Sequence, residues 1–304
     1  MWAIIGGSGF EKFEDFKPIE DLSRETPFGL TSLGFKKVSL EGKELLFIPR
    51  HGTDHGVLPS EVNYRANIYA LKKYGATKLL TFSAVGSLQN QYAPGDLVIP
   101  SQYVDRTKGK RLATYCGNGI VGHVSLAEPI STTMLMALKN IVGEQEISSS
   151  AALEHDLPEV TAPGAHFDFK VHFEKTLVVM EGPQFSTKAE SHLYRSWGAD
   201  IIGMTSYPEY ALAREAGLAF LNCCFVTDYD CWKDDIPHVT VEQVIQVMKK
   251  NNQKAYQVAK NMIHSQDPKL LAATEKDNGL KNALMSDPTQ MTPQQKELVA
   301  VLTQ

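Results

Sequence analysis

Two carboxylates one residue apart, Asp228 and Asp230, follow the apolar run from Leu218 to Phe225 in the segment Val226-Thr227-Asp228-Tyr229-Asp230-Cys231-Trp232. The run reads as a buried strand, and residues i and i+2 of an extended segment point to the same side. Both acids can therefore face one target. Like charges at the mouth of a buried strand are costly unless a proton or hydrogen bonds are shared, which suits general acid chemistry. A solvated loop whose acids cap the next helix explains the pair equally well from local sequence alone.

Five further clusters stand where apolar runs give way to small or polar residues. Gly6-Gly7-Ser8-Gly9 offers close backbone approach and a hydroxyl to an anion. It has neither GxGxxG nor Walker A spacing, and a tight strand-to-loop turn accounts for it as well. Arg50-His51-Gly52-Thr53-Asp54-His55 brings a guanidinium suited to a two-point oxyanion contact. His51 and His55 are four apart, but the HExxH glutamate is absent and Gly52 opposes a helix, so no metal site is expected. Phe82-Ser83-Ala84-Val85-Gly86-Ser87 reads as a strand passing into a small-residue loop, with Ser83 and the Ala84 amide able to join Ser8 and Arg50 around one anion. In Glu181-Gly182-Pro183-Gln184-Phe185-Ser186, Phe185 can stack on a planar heterocycle and Ser186 can bond its edge. Gly203-Met204-Thr205-Ser206 adds a hydroxyl at Thr205 and a soft apolar surface at Met204. Taken singly, a packed turn explains the Ser8 and Ser83 clusters, a surface ion pair explains Arg50 and core filler explains Phe185; several anion-type loops in one chain are harder to dismiss.

The elements that must position these groups alternate short apolar runs with helical patterns, the mark of an α/β fold whose central, mainly parallel sheet is flanked by helices. Strands are expected at 3–5, 44–48, 78–83, 96–100, 176–180, 201–203 and 218–225, and helices from near Ser60, Ile130, Thr187, Pro208 and Val241. Thr187-Lys-Ala-Glu190 and Ser206-Tyr-Pro-Glu209 both have capping-box spacing. Residues 144–172, with Ser148-Ser149-Ser150 and Pro163-Gly164, read as a long surface excursion. Residues 1–265 are expected to form one domain. Residues 266–304 form a polar extension ending in a short helix near 293–302 that packs on the body or on a neighbour.

Bulk properties narrow the function classes. With 304 residues, the chain is long enough for a sizeable core. A net charge of −5 gives no basic balance for nucleic acid or acidic membranes, and no apolar stretch approaches the roughly 20 residues needed to span a bilayer. Cys116, Cys223, Cys224 and Cys231 show no CxxC spacing and read as reduced thiols. The N-terminus lacks a leader pattern, so a cytoplasmic location is expected.

Taken in order, the segments resemble the trimeric purine nucleoside phosphorylase family. The resemblance covers residues 2–264, interrupted at about 146–168. It rests on Ile-Ile-Gly-Gly-Ser-Gly at 4–9, Arg-His-Gly at 50–52, Pro-Ser-x-Val-Asn-Tyr-x-Ala-Asn at 59–67, Gly-Ser-Leu at 86–88 and Pro-Gly-Asp at 94–96. Asp-Arg-Thr at 105–107, Ala-Glu-Pro at 127–129, Glu-Gly-Pro-x-Phe-Ser at 181–186, Arg-x-Trp-Gly-Ala-Asp at 195–200 and Thr-Asp-Tyr-Asp-Cys-Trp at 227–232 complete it. Within the family the match leans to members that cleave 5'-methylthioadenosine.

The resemblance implies phosphorolysis, with phosphate attacking C1' to release adenine and 5-methylthioribose 1-phosphate. No metal or organic cofactor is implied, only inorganic phosphate as co-substrate. Ser8, Arg50, His51, Ser83, Ala84 and Thr205 would hold phosphate, and Met204 would lie against the ribose. Phe185, Ser186, Asp228 and Asp230 would frame the base. His55, Val241, Val244 and Ile245 would form the methylthio pocket, with His123 entering from a neighbouring subunit of a homotrimer. Ser8 and Ser83 stand where threonine is commoner in the family, each keeping the hydroxyl. Residues 159–167 match no part of the family pattern. Members acting on 6-oxopurines typically carry Asn at the position of Asp228 and Glu after the Phe; Asp228 and Ser186 favour a 6-aminopurine here.

The chemistry agrees with that expectation. Glycosidic cleavage leaves positive charge on the sugar and negative charge on the purine, so an anion can stabilise the first and proton donation at N7 the second. A broader adenosine-type phosphorylase of the same fold is the nearest alternative. A hydrolytic nucleosidase and a non-catalytic nucleotide-binding protein are the more distant ones.

Overall fold

The computed structural model describes residues 1–143, 167–233 and 241–304, and of residues 241–246 and 277 the backbone alone. Its strands are β1 (Trp2–Gly6), β2 (Lys17–Asp21), β3 (Glu25–Thr26), β4 (Gly29–Leu30), β5 (Lys36–Leu40), β6 (Lys43–Pro49), β7 (Lys78–Ser87), β8 (Leu97–Arg106), β9 (Val171–Met180), β10 (Ile201–Gly203) and β11 (Ala219–Asp228). The helices are α1 (Tyr64–Lys73), α2 (Thr132–Val142), α3 (Lys188–Ser196), α4 (Ser206–Glu215), α5 (Val241–His264), α6 (Pro268–Ala272), α7 (Leu280–Ala283) and α8 (Pro293–Thr303).

One mixed sheet runs in the order β10-β9-β8-β11-β7-β1-β6-β5-β2, and β3 and β4 form a separate ribbon. Parallel strands covered on both faces must be apolar throughout, and β1, β7 and β11 are buried along nearly their whole length. β10 also pairs antiparallel with β7, so β7, β11, β8, β9 and β10 close into a ring at one end. Register then aligns the parallel strands: Gly6 pairs with Pro49 and with Phe82, and Phe82 with Cys223. β1 and β6 therefore end beside Phe82 and Cys223 of the longer strands β7 and β11, which brings Ser8, Arg50, Ser83 and Asp228 to one end of the sheet.

Several boundaries differ from the sequence expectation, each for a physical reason. β7 continues through Ala84–Ser87, read above as a loop, because β11 and β10 pair with it there. β9 starts at Val171 rather than 176, so the end of the supposed surface excursion is core: Phe167, Phe169 and Val171 are buried. The rest of the proposed insertion, residues 144–166, lies outside the described residues. α1 begins at Tyr64, where the Asn63 side chain accepts from the Ala66 amide at 3.2 Å and supplies the cap. β2, at the sheet edge, and β5 beside it carry too few apolar residues to show in the sequence.

The capping box at Thr187 forms, with Glu190 accepting from the Thr187 amide and Thr187 Oγ1 accepting in return. The one at Ser206 does not. Thr205 occupies the cap position without a side-chain bond, and Glu209 is engaged elsewhere. The C-terminal extension shares the main core through Leu270, Ala273, Leu280 and Leu302. Its backbone also pairs with residues 121–123, while α8 packs on α1 and Gln304 Nε2 donates to the Lys72 carbonyl. Among the described residues no helix is long and apolar enough to cross a membrane.

Candidate active site

At the common edge of the parallel strands lies a cavity of about 1590 Å³. Ser8, Arg50, His51, His55, Ser83, Ala84, Phe185, Met204, Thr205, Asp228 and Asp230 all line it, although they come from segments up to 222 positions apart in sequence. Ser186 and His123 do not. Ser186 Oγ donates to Met180 Sδ at 3.5 Å and its carbonyl accepts from Cys231 Sγ at 3.2 Å. His123 is exposed on the segment that pairs with the C-terminal extension. The side chains of Val241, Val244 and Ile245 lie outside the described residues.

Arg50 anchors one end. Its guanidinium is wholly buried, with Nε and Nη2 donating to Oε1 and Oε2 of Glu209 at 2.8 and 2.7 Å and Nη1 donating to the Phe82 carbonyl at 3.1 Å. This differs from both sequence readings, a free anion fork and a surface ion pair. Two of the five guanidinium N–H groups remain uncommitted. Glu209 raises the Arg50 pKa against the opposing pull of burial. Gly6 and Gly7 are demanded by packing: a Cβ on Gly6 would sit 1.8 Å from the Phe10 carbonyl oxygen, and one on Gly7 would sit 2.1 Å from Arg50 Nη1.

His51 Nδ1 lies 2.8 Å from the Val57 carbonyl, which can only accept, so Nδ1 carries the proton and Nε2 is an acceptor when the ring is neutral. Burial, with Arg50 beside it, pushes the His51 pKa down to about 4. His55, its ring 4.7 Å from that of His51, pairs with Glu11 at 2.6 Å. The Glu11 hydrogen bond raises its pKa. The wall expected to be apolar at the 5' end thus begins with a polar pair.

Ser83 Oγ lies 3.4 Å from Asn222 Oδ1, Thr81 Oγ1 donates to the same oxygen at 3.1 Å, and Asn222 Nδ2 donates to Ser206 Oγ at 2.7 Å. Asn222, fully buried on β11, ties the Ser83 strand to the start of α4.

Opposite lie the two acids. β11 bulges between Val226 and Asp228, so Asp228 stands opposite Gly86 of β7. A Cβ on Gly86 would come 3.1 Å from Asp228 Oδ1, which makes the glycine part of the acid's pocket. Asp228 Oδ2 accepts from Thr227 Oγ1 and Oδ1 from the Asp230 amide, both at 2.7 Å. Asp230 has a φ of 51°. The acids are therefore brought together by a turn closed on the Asp228 carboxylate and not by strand alternation. Burial raises the Asp228 pKa despite these bonds, and burial followed by repulsion from Asp228 raises that of Asp230. Phe185, 76% exposed at the cavity, is free to stack instead of filling the core.

Sequence reading missed the group that locks the two remaining walls together. Arg111 stands in Lys108-Gly109-Lys110-Arg111, which has the look of a solvated turn, yet its guanidinium is buried. It donates to Glu181 Oε1 at 3.0 Å and to the carbonyls of Met204 and Tyr207, each at 2.6 Å, and of Glu181 at 2.7 Å. Gly182 leaves room for Met204, whose Sδ would be 2.6 Å from an added Cβ. Against the upward pull of burial, the Lys108 amide and Arg111 hold the Glu181 carboxyl below its ordinary range. Arg111→Met should therefore destabilise the fold by about 3–5 kcal/mol, because Glu181 is left buried and unpaired. Denaturant unfolding measures this, and a loss under about 1 kcal/mol would refute the clamp.

Among the described residues no cluster of three or more His, Cys, Asp or Glu side chains is placed to hold a metal. What the cavity can do is bind an anion between Ser8, Arg50 and Thr205 while presenting a half-buried acid to a second, planar group.

Comparison with known proteins identifies the family. The model of the Phosphorylase superfamily matches residues 2–264. An S-methyl-5'-thioadenosine phosphorylase from Geobacter sulfurreducens is 40% identical over 264 residues, 87% of this chain and 85% of the relative. The crystal structure of a methylthioadenosine phosphorylase from an Antarctic soil metagenomic library superposes with a TM-score of 0.81 at 39% identity, covering 99% of this chain and 98% of that one. The Schistosoma mansoni methylthioadenosine phosphorylase in complex with adenine does so with a TM-score of 0.79 at 32% identity, covering 93% and 98%. The chain belongs to the phosphorylase superfamily and, within it, to the S-methyl-5'-thioadenosine phosphorylases.

Proposed function

We propose that this protein cleaves S-methyl-5'-thioadenosine by phosphorolysis, giving adenine and 5-methylthioribose 1-phosphate. The supporting observation is the single cavity that brings a half-buried carboxyl pair together with a hydroxyl-and-guanidinium anion site. Phosphate held by Ser8, Arg50, Ser83, Ala84 and Thr205, and by His51 through its backbone N–H or through a phosphate O–H donated to its Nε2, attacks C1' as the C1'–N9 bond breaks, and the bonding electrons pass to the purine. Asp228, whose pKa burial raises, donates a proton to N7 while its other oxygen accepts from the 6-amino group. A neutral carboxyl is complementary to that edge of adenine, which pairs an acceptor with a donor. Asp230 fixes the orientation of the acid through its amide, which donates to Asp228 Oδ1, Met204 lies against the ribose and Phe185 stacks on the base. Phosphate is the co-substrate, and no metal or organic cofactor enters.

In this reading the enzyme is a cytoplasmic homotrimer. His123, exposed and not among the residues lining its own cavity, completes the 5' pocket of a neighbouring copy. One observation favours a broader substrate range: the His55–Glu11 pair places a polar group in the cavity where a 5'-hydroxyl could be accommodated.

Steady-state assays on methylthioadenosine, adenosine, methylthioinosine and inosine, each with and without phosphate, separate the readings. Cleavage should require phosphate and favour the 6-amino nucleosides. The methylthio compound should exceed adenosine in kcat/KM by about ten- to a hundredfold, the range open to an apolar-pocket contact. Equal values for the two would establish the broader enzyme, and cleavage without phosphate would establish a hydrolase.

A further inference from the structure

Arg50 is the buried cation beside Ser8, Ser83 and Thr205, yet most of its hydrogen-bonding capacity is already engaged. Glu209, fully buried on α4, takes both Nε and Nη2 at 2.8 and 2.7 Å, and the Phe82 carbonyl takes Nη1. The guanidinium is also wedged against Gly7. Two-point pairing of this kind satisfies a guanidinium in charge as well as in geometry. The nearest other candidate cation, His51, is held neutral with an acceptor nitrogen left over. The hydroxyls of Ser8, Ser83 and Thr205 bring dipoles but no net charge.

We propose that Glu209 sets the charge of the phosphate site: by pairing with Arg50 it cancels the cation there, so that bound phosphate keeps its negative charge facing the sugar. This rests on the phosphorolytic reading above. A phosphate fully paired with a free arginine would bind tightly, but its charge would be less available to the cation that develops at C1'. Only interactions stronger in the transition state than in the ground state raise kcat. Glu209 is thus a positioning residue: it does not touch substrate and acts through Arg50.

The test is Glu209→Gln, which keeps size and one acceptor but removes the charge, compared with wild type and Glu209→Asp. With Arg50 uncompensated, the KM for phosphate should fall by about tenfold or more while kcat on methylthioadenosine falls by a similar factor. Phosphate should raise the Tm of the Gln variant more than that of wild type, because the anion replaces the missing carboxylate. Glu209→Asp should keep the wild-type direction in both readouts. A purely structural Glu209 predicts the opposite, a raised KM for phosphate as Arg50 strays. That result would overturn the proposal, as would a Gln variant that phosphate neither tightens onto nor stabilises, a variant that cannot be folded even in phosphate included. A wild-type enzyme that cleaves nucleosides without phosphate would instead remove the underlying function, so the two failures are separable.

Discussion

Asp228→Asn should lower kcat/KM on methylthioadenosine by about 10²–10⁴-fold, the range associated with a positioned general acid. The amide keeps the shape of the side chain, but with one oxygen it retains only one of the two bonds that Asp228 accepts, from Thr227 Oγ1 at Oδ2 and from the Asp230 amide at Oδ1. It can also bridge the N7 and 6-amino groups of adenine, but it cannot release a proton to N7. The loss should therefore fall mainly on kcat. A 6-oxopurine presents two acceptors at the same edge, and the amide nitrogen can donate to them, so the preference for 6-amino over 6-oxo nucleosides should shrink. An unchanged preference would refute the assignment of Asp228 as the reader of the base.

The pH profile carries the same claim with a definite sign. Burial raises the Asp228 pKa, and the acid works in its protonated form. Activity is thus present below that raised pKa and lost as pH rises through it. Phosphate titrates as well, so the comparison is with the variant. A descending limb of kcat/KM that wild type shows and Asp228→Asn lacks belongs to Asp228. Identical profiles would place the acid elsewhere.

Gly7→Ala is expected to do the second-largest damage, although glycine itself has no chemistry. The added methyl would lie 2.1 Å from Arg50 Nη1 and 2.7 Å from the Phe82 carbonyl oxygen. Both neighbours are fixed: Arg50 by Glu209, and Phe82 by pairing on both sides of β7 with β1 and β11. The clash is relieved only by moving Arg50 off its seat or by prising β1 from β7. Overpacking of this kind destabilises by about 1–3 kcal/mol. The KM for phosphate should rise by at least about tenfold, the loss expected when a charge-assisted contact of 1.5–3 kcal/mol is broken. Gly56→Ala is the control, since a Cβ there meets nothing within 4 Å. Wild-type phosphate affinity in Gly7→Ala would show that Arg50 is not held where the geometry puts it.

Sequence carried much of the fold because the central strands are buried on both faces and must be continuous apolar runs, as at Ile4–Ile5 and Leu218–Phe225. It carried the site because strand ends in an α/β sheet are where backbone bonding stops and side chains are free to act. What it misread were groups whose partners are remote. Glu209 has capping-box spacing from Ser206, yet its carboxylate goes to a residue 159 positions away. Arg111 sits among lysines and glycine but gathers carbonyls from two distant loops. Asp230 looked like the next outward-facing position of a strand, but its backbone turns left-handed because Asp228 accepts its N–H.

By itself the sequence determined which chemical groups stand at the strand ends, since residue type and apolar pattern are local properties. Only the tertiary structure decided which of them are charged and which face one another. Charge state depends on burial and on partners, and those are supplied by segments that meet only when the sheet is assembled. The Arg50 and Glu209 side chains, both exposed and solvated in an unfolded chain, become a fully buried pair beside the proposed phosphate site. Asp228, an ordinary carboxylate by its residue type, becomes a candidate acid because folding takes its solvent away.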